Sequence, residues 1–432
     1  MNPLKRLSRL LVAATLFAAP TMMTSALAQA PEGLPKPPEG KVTVKFWAIA
    51  TQGWKDVIAE FSKAYPNIDI KWTKYSTDEL KQALRVASAS GKMPDTWFTW
   101  GGSLASPYID GGHALAITPE IAAKYRLDKN ISPIALDLAK RNGKLYGVPI
   151  WVKPMTVFYK KSLFDKYGIP EPKTFADLEK AMETLKSKGV TPIAVGGKFS
   201  WMTMRTTDFL IEHFAGPEMH DKLFALEASY NSPEVVQAFA KLKEWVDKGY
   251  FNDGFISLDP NQALPMLYQN KAGMIFQGPW IEEENIVKSK LDPNDYVPII
   301  APADQTPVRV SGFQEQLQIS SKSPPEVQQA ALLFAAYVSD PEVAKTAASK
   351  ALGTPRPIVG FLPAEDRPIG IKMTKWIQGE AELYLPTDQA LPQELVNAFF
   401  QAQDSVVLGT MTPEAAAESI QKAVEAYKAA NK

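Results

Sequence analysis

The chain contains no cysteine and only three histidines. Without cysteine there are no disulfide bonds and no thiol catalysis, and no lipid can be attached to a cysteine after export. The three histidines, His113, His213 and His220, have no cysteine or carboxylate partner at the spacing of a metal-binding motif. The sequence therefore predicts a protein that has neither a metal site nor a cofactor.

The compact motifs of several enzyme classes are also missing. There is no Gly-x-Ser-x-Gly elbow, no His-Glu-x-x-His, no phosphate-binding Gly-Lys-Ser/Thr and no glycine pattern of a dinucleotide-binding loop. Glycoside hydrolysis is not excluded in this way, because it needs only two carboxylates that face each other across a cleft. Glu282, Glu283 and Glu284 are consecutive, which fits the solvated start of a helix, whereas Glu315 interrupts a strand and is either an exposed strand residue or a functional one. A carbohydrate-active enzyme, either a glycosidase or a lyase, stays as the alternative to a binding protein.

Residues 1–28 have the features of a secretory signal peptide. Lys5, Arg6 and Arg9 precede a short apolar run, and Ala26-Leu27-Ala28 matches the Ala-x-Ala pattern of a cleavage site, with Ala30 as a second possible site. The apolar run is too short for a membrane span, which needs about 20 residues. Because no cysteine follows the cleavage site, we expect the mature chain to be free in the periplasm rather than lipid-anchored.

The charges of the chain are balanced. Cleavage after residue 28 removes three of 47 basic residues and none of the 47 acidic ones, which leaves a net charge of about −3. Such a balance attracts neither nucleic acid nor anionic lipid. We therefore expect no nucleic-acid partner and no membrane-surface partner.

Strands and helices alternate from residue 41 onward. The patterns predict a strand at 41–50, a helix up to Pro66, a second strand at 68–72, a helix with a capping box at 76–79, and a third strand at 95–100. Helices long enough to cross over imply parallel pairing, and ligands bind outside the carboxyl ends of such strands. The segments 48–52 and 99–103 lie at those ends and are therefore candidate binding loops.

Strands and helices also alternate in the rest of the chain, and the chain is long enough to need two hydrophobic cores. Capped helices are predicted at 174–189, 232–249, 323–340 and 412–430, with strands at 190–197 and 272–277. A mature chain of about 400 residues exceeds what one hydrophobic core usually holds, so we expect two α/β lobes. The proline-rich leader, residues 29–40, is predicted to be an extended arm that does not pack.

Ten tryptophans are the most informative feature of the composition. Trp54, Trp72, Trp97 and Trp245 fall in periodic apolar patterns and are predicted to be core residues. A second group lies at element ends beside glycine, proline or serine: Trp100, Trp151, Trp201 and Trp280. Indole rings offer a flat apolar face and one N–H donor, which complements a sugar ring with its C–H face and hydroxyl edge. The polar residues predicted to fix those hydroxyls are Gln52, Arg205, Gln277 and Glu315.

Long stretches of the chain resemble extracellular solute-binding proteins of the carbohydrate class, the ABC-importer group that contains maltose-binding protein. The resemblance rests on "YGVPIWVKPMTVFYKKSLFDKYGIPEPKTFADLEKAMETLKSKGVTPIAVGG", "AGMIFQGPW", "LQISSKSPPEVQQAALLFAAYVSD" and "ALGTPRP". It implies a two-lobe periplasmic binding protein fold with a ligand cleft between the lobes and a hinge of several chain crossings. By this likeness the crossings lie near 148–154, 300–306 and 338–341. The lobes then comprise 41–150 plus 305–340 and 151–304 plus 341–432.

The resemblance also implies a set of binding residues and partners. Trp280 and Trp201 correspond to stacking aromatics, Thr51 and Gln52 to the first-strand loop, and Arg356 to a basic residue of the "GTPRP" segment. Lys153 and Pro154 depart from the small polar residues of relatives. The implied function is a monomeric receptor, not an enzyme, that captures a short oligosaccharide or glycoside and delivers it to membrane permease subunits. A structural envelope protein is a third possibility, and receptors for iron or polyamines would need tyrosines or acids in the cleft instead of tryptophans.

Overall fold

The computed structural model describes residues 30–50 and 52–431. The predicted signal peptide and Thr51 lie outside these residues. For Gln52 and Glu284 only the backbone is described. None of the helices in the described ranges is long and apolar enough to cross a membrane.

The elements of the described chain follow the predicted alternation of strand and helix. The strands are β1 Val42–Ile49, β2 Ile68–Tyr75, β3 Thr96–Trp100, β4 Lys140–Arg141, β5 Lys144–Leu145, β6 Val148–Lys160, β7 Thr191–Ala194, β8 Ala272–Gln277, β9 Tyr296–Ile299, β10 Arg309–Ile319 and β11 Glu382–Tyr384. The α-helices are α1 Gln52–Ala64, α2 Thr77–Ser90, α3 Ser106–Asp110, α4 Pro119–Lys124, α5 Leu127–Asn130, α6 Pro133–Leu138, α7 Lys161–Tyr167, α8 Phe175–Ser187, α9 Trp201–Phe224, α10 Pro233–Asp247, α11 Pro260–Tyr268, α12 Pro325–Val338, α13 Ala347–Lys350, α14 Pro368–Lys375, α15 Thr387–Ala390, α16 Gln393–Val407 and α17 Pro413–Ala430.

The first three strands pair as the sequence predicts. β1 pairs in parallel with both β2 and β3, and its alternating burial places Val44 and Phe46 in the core. The capping box that starts α2 is present, with Glu79 accepting a hydrogen bond from the backbone N–H of Ser76 at 2.9 Å. Gly91 ends the same helix with φ +67°, a conformation that glycine adopts without strain.

Two long strands, β6 and β10, join the two halves of the molecule. They pair antiparallel from Val148 opposite Leu317 to Met155 opposite Ser311, with an irregularity at Glu315 and Gln316. Beyond this ladder β6 pairs with β8 and β9, while the other end of β10 pairs with β3. The sheet order β2-β1-β3-β10-β6-β8-β7 therefore continues from one half into the other.

Buried apolar side chains form two large clusters, which define the two lobes. The first lobe contains residues from Val42 to Met155 and from Phe313 to Leu352; the second contains residues from Val157 to Ile299 and from Ile369 to Val424. The predicted lobe boundaries, including the third crossing near 338–341, stay predictions. Leu352 still packs in the first lobe, because α13 lies against α1.

Two predictions are wrong. The leader packs on the first lobe: Leu34 is half-buried there, and Asn67 donates hydrogen bonds to the carbonyls of Pro38 and Gly40. An extended segment that is not paired with a strand leaves its backbone carbonyls free to accept hydrogen bonds, so side-chain amides can hold it in place.

Trp54, Trp97 and Trp245 are core residues as predicted. Trp72 is only half-buried, with the Lys74 ammonium 4.7 Å from its ring centroid.

Candidate functional site

A cavity of about 750 Å³ lies between the two lobes. Ile49, Ala50 and Trp100 reach it from the first lobe, at the carboxyl ends of β1 and β3. Trp201, Arg205 and Trp280 line it from the second lobe. The loops at the strand ends therefore lie where the general rule for open α/β sheets places a ligand site.

Trp280 occupies this position because the chain turns sharply before it. β8 ends at Gln277, and Pro279 provides no N–H for a longer ladder. The indole then folds back over Gly278, where a Cβ atom would lie 1.9 Å from the ring. The half-buried ring packs against both apolar clusters and lies 5.8 Å from Phe313, centroid to centroid. Glycine at 278 is thus required for a tryptophan that contacts both lobes.

The floor of the cavity holds a buried ion pair. Lys153 of β6 and Glu315 of β10 are 2.6 Å apart, with only 7% and 4% of their side chains exposed. The Lys153 ammonium also lies 4.5 Å and 5.8 Å from the ring centroids of Trp151 and Trp280. Burial raises the pKa of Glu315, and the charge of Lys153 and the indole N–H of Trp100 oppose that rise. Glu315 is therefore not the exposed strand residue that was one of its two predicted roles.

Arg205 lies between two tryptophan rings on the second-lobe wall. Its guanidinium carbon is 4.3 Å from the centroid of Trp201 and 5.1 Å from that of Trp280. Burial lowers the pKa of Arg205 to about 9, and the negative charge of Asp388 partly offsets this. Within the described part of the chain, its Nε and Nη1 groups have no hydrogen-bond acceptor. The side chain thus has spare donor capacity beside the cavity.

Trp100 forms the opposite wall. It is the last residue of β3, and only 8% of it is exposed. Its ring meets Phe98 edge to face at 5.0 Å, and the Lys81 ammonium lies 4.8 Å from its centroid. Both lobes therefore present an indole and a cation to the same space.

Two of the predicted binding residues do not line the cavity. Trp151 is 1% exposed, packs edge to face on Trp54, and donates its indole N–H to the carbonyl of Leu352 at 3.1 Å. Arg356 is also buried, and burial without a carboxylate partner lowers its pKa to about 9. Its guanidinium donates to the carbonyls of Ile150 and Val338 at 3.0 and 2.6 Å. Arg356 fixes the segment that contributes Gly353 and Thr354 to the cavity wall, but it faces away from the cavity.

The remaining predicted residues divide into two groups. Gln277 lines the cavity, as do Trp100, Trp201, Arg205, Trp280 and Glu315. Thr51 and the side chain of Gln52 lie outside the description, although Ala50 before them reaches the cavity. Their binding roles stay predictions.

Several cavity residues are not predicted by the sequence patterns. Asp388 and Gln389 belong to the short helix α15, and Asp78 and Lys81 to α2. The polar "TDQ" between Pro386 and Leu391 is the only local indication of α15 in the sequence. It does not indicate which other loops lie near that helix in the fold. In residues 30–50 and 52–431, no group of three or more His, Cys, Asp or Glu side chains is placed to hold a metal ion.

The segment after Trp280 is anchored by two acids. It continues as a π-helix, Glu282–Val287, where the sequence predicts the start of an ordinary helix with solvated acids. Glu282 is 1% exposed and accepts hydrogen bonds from the backbone N–H groups of Ile369 and Gly370 at 3.0 and 2.8 Å, at the start of α14. Glu283 pairs with Arg367 just before that helix. The two acids thus fix the turn that carries Trp280.

Sequence comparisons identify a protein family and several relatives of this chain. A family model described as bacterial extracellular solute-binding protein matches residues 47–345, well over half of the 432-residue chain. An uncharacterized ABC transporter extracellular-binding protein of Pyrococcus horikoshii is 26% identical over 373 residues, which cover 83% of this chain and 77% of the relative. A probable sugar-binding periplasmic protein of Rhizobium meliloti is 27% identical over 259 residues, which cover 59% of this chain and 61% of the relative.

A solved structure of similar shape is a chitin oligosaccharide binding protein. It superposes with a TM-score of 0.77 at 24% sequence identity, over 89% of this chain and 98% of that one. At this identity the similarity concerns the fold. The predicted two-lobe α/β fold is confirmed.

The anchoring of Trp280 by Glu282 gives a prediction for the pH dependence of stability. Burial raises the pKa of Glu282 from its ordinary value of 4.5 to about 7, and the neighbouring charge of Glu283 adds to the rise, while the two backbone N–H donors and Arg367 oppose it. The folded protein then holds a proton that the unfolded chain has already lost. Between pH 4.5 and pH 7 this residue should lower the free energy of unfolding as the pH rises, by up to about 3 kcal/mol.

Glu282→Gln removes this contribution. Urea denaturation of both proteins should show that the free energy of unfolding of the wild type, relative to that of the variant, is higher at pH 5 than at pH 8. The buried Asp208, whose pKa is raised to about 6, is present in both proteins and cancels in the comparison. Identical pH dependence of the two proteins would contradict the raised pKa of Glu282.

Proposed function

Because the chain belongs to the bacterial extracellular solute-binding protein family, we propose that it is the sugar-binding receptor of an ABC importer. It captures a short oligosaccharide or glycoside between its lobes and delivers the sugar to the permease subunits in the membrane. It acts in the periplasm as a monomer that is not lipid-anchored. The names of its relatives, which include a sugar-binding periplasmic protein and an ABC transporter binding protein, support this proposal.

The observation that carries the proposal is the composition of the cavity. Tryptophans line it from both lobes, and their rings can cover the apolar faces of sugar rings. Arg205, Gln277 and the Lys153–Glu315 pair supply a few polar groups among these apolar walls, which is how ligand pockets fix orientation. Acids and cations are both present around the cavity, so a neutral, hydroxyl-rich ligand fits it better than an ion of either sign.

The mechanism we propose follows from the strands that connect the lobes. β6 and β10 pass from one lobe to the other beneath the cavity, so bending there changes the width of the cleft. A sugar that contacts both walls stabilises the closed arrangement by contacts that the open one lacks. The permease then recognises the closed shape.

The enzyme alternative is less well supported. The family consists of solute-binding proteins, and a glycosidase needs two carboxylates on opposite sides of the scissile bond. The two glutamates considered for this role are both paired, Glu315 with Lys153 and Glu283 with Arg367. We therefore propose binding without catalytic turnover.

A ligand screen tests receptor against enzyme. The purified protein is incubated with glucose, galactose, maltose, melibiose, raffinose, xylobiose and chitobiose, and its melting temperature is recorded while products are followed by chromatography. At least one saccharide should raise the melting temperature, since a ligand at a hundred times its dissociation constant stabilises the folded state by about 2.7 kcal/mol. No saccharide should be cleaved; cleavage that disappears in Glu315→Gln would establish the enzyme instead.

The tryptophans of the two walls should carry much of the affinity. Trp280→Ala and Trp100→Ala should each weaken binding of the best saccharide by about thirtyfold, or about 2 kcal/mol, because each truncation removes a stacking face. Trp72→Ala is the matched control, since this half-buried tryptophan does not reach the cavity. Calorimetric titration of the folded proteins measures the effect.

Trp280 also packs against both lobes, so its removal should lower the melting temperature as well. If Trp280→Ala lowers the melting temperature but leaves the dissociation constant of the folded protein unchanged, Trp280 is a packing residue only.

A further inference from the structure

A loop of the first lobe touches the second lobe beside the cavity. After β3, Ser103 donates a hydrogen bond from its hydroxyl to the backbone carbonyl of Asp388 at 2.8 Å. Asp388 belongs to α15, which is fixed to the second lobe because Thr387 donates from its backbone N–H and its hydroxyl to Asp208 of α9, at 3.0 and 2.6 Å. This contact between Ser103 and Asp388 therefore joins the lobes directly, beside β10, to which the neighbouring Gly101 is hydrogen-bonded through the carbonyl of Gln314.

Glycine at position 102 is what permits this contact. Gly102 has φ +62°, and a Cβ atom there would lie 2.1 Å from the backbone carbonyl oxygen of Gln389. Any side chain at this position must therefore push α15 and the loop apart. The close approach of this loop to α15 therefore depends on glycine at position 102.

The residues held in this way present acceptors to the cavity. Asp388 and Gln389 both line it. Cations approach the Asp388 carboxylate from both lobes, since the charges of Lys81 of α2 and Arg205 of α9 both act on it. Apart from its own backbone N–H, no donor among the described residues is hydrogen-bonded to this carboxylate. The buried Oε1 of Gln389 likewise lacks a donor anywhere in the described chain.

We propose that Asp388 and Gln389 form a ligand-selecting subsite that is held in place by Gly102 and Ser103 of the first lobe. This inference rests on the proposed function and adds the chemistry of one subsite to it. A carboxylate and an amide oxygen, side by side, accept hydrogen bonds from two hydroxyl groups of a saccharide. A sugar that lacks either hydroxyl leaves an acceptor at the cavity unpaired and binds less well.

The test compares variants on the same seven saccharides. Asp388→Asn keeps the shape of the side chain but replaces one acceptor oxygen by a donor. It should change the rank order of the dissociation constants, weakening the saccharides that use the subsite by tenfold or more and leaving others unchanged. A uniform loss across all seven, or no loss, would overturn the inference.

Gly102→Ala tests the dependence on the first lobe, with Gly91→Ala as the matched control. Gly91 has φ +67°, so alanine is strained there too, but nothing lies within 4 Å of its Cβ position. Gly102→Ala should weaken the same saccharides as Asp388→Asn, whereas Gly91→Ala should weaken none. If Gly102→Ala does not fold, Ser103→Ala, which removes only the hydrogen bond, should weaken the same saccharides to a smaller extent.

The outcomes separate this inference from the proposed function. A wild-type protein that binds none of the saccharides contradicts both. A wild-type protein that binds some of them with an unchanged rank order in Asp388→Asn contradicts the subsite alone. Equal behaviour of Gly102→Ala and Gly91→Ala, or full affinity in Ser103→Ala where Gly102→Ala does not fold, contradicts the role of the first lobe.

Discussion

The candidate site is built around the buried ion pair between Lys153 and Glu315. Each charge is buried on one of the two long strands that run between the lobes. Such a pair tolerates little displacement, because separating its members would leave two uncompensated charges in a medium of low polarity. It therefore adds to the backbone ladder that joins β6 and β10 at the cavity. Trp100, Trp151 and Trp280 surround it, so the aromatic walls are built around the charges.

The sequence predicted the fold well where local patterns decide the outcome. The alternation of β1, the capping box of α2 and the Ser-Pro entry of α10 each require a particular element, and each element is present. The residues of the cavity that could be predicted are those at the ends of strands. Trp100 and Trp280 each lie directly after or at the end of a buried strand, and the general position of ligands in α/β sheets brings such residues to one crevice.

Side-chain direction and the approach of distant loops could not be predicted. Trp151 and Lys153 point to the same face of β6, yet the lysine covers the tryptophan, so only the lysine reaches the cavity. Arg356 follows residues that line the cavity, but its side chain turns into the protein and donates to the carbonyls of Ile150 and Val338. The sequence does not show that these carbonyls lie nearby. Asp388 meets Ser103 across 285 residues of chain, a contact that no periodicity encodes. The leader was misjudged for the same reason, since its partners are side chains of the first lobe.

The proposed transport role depends on closure, in which sugar bound between the lobes draws them together about β6 and β10. Small-angle X-ray scattering, on the protein alone and with a saccharide at a hundred times its dissociation constant, measures this closure. We predict a smaller radius of gyration in the saturated protein, and the same radius with a saccharide that does not raise the melting temperature. An unchanged radius while calorimetry shows full saturation would contradict closure about these strands.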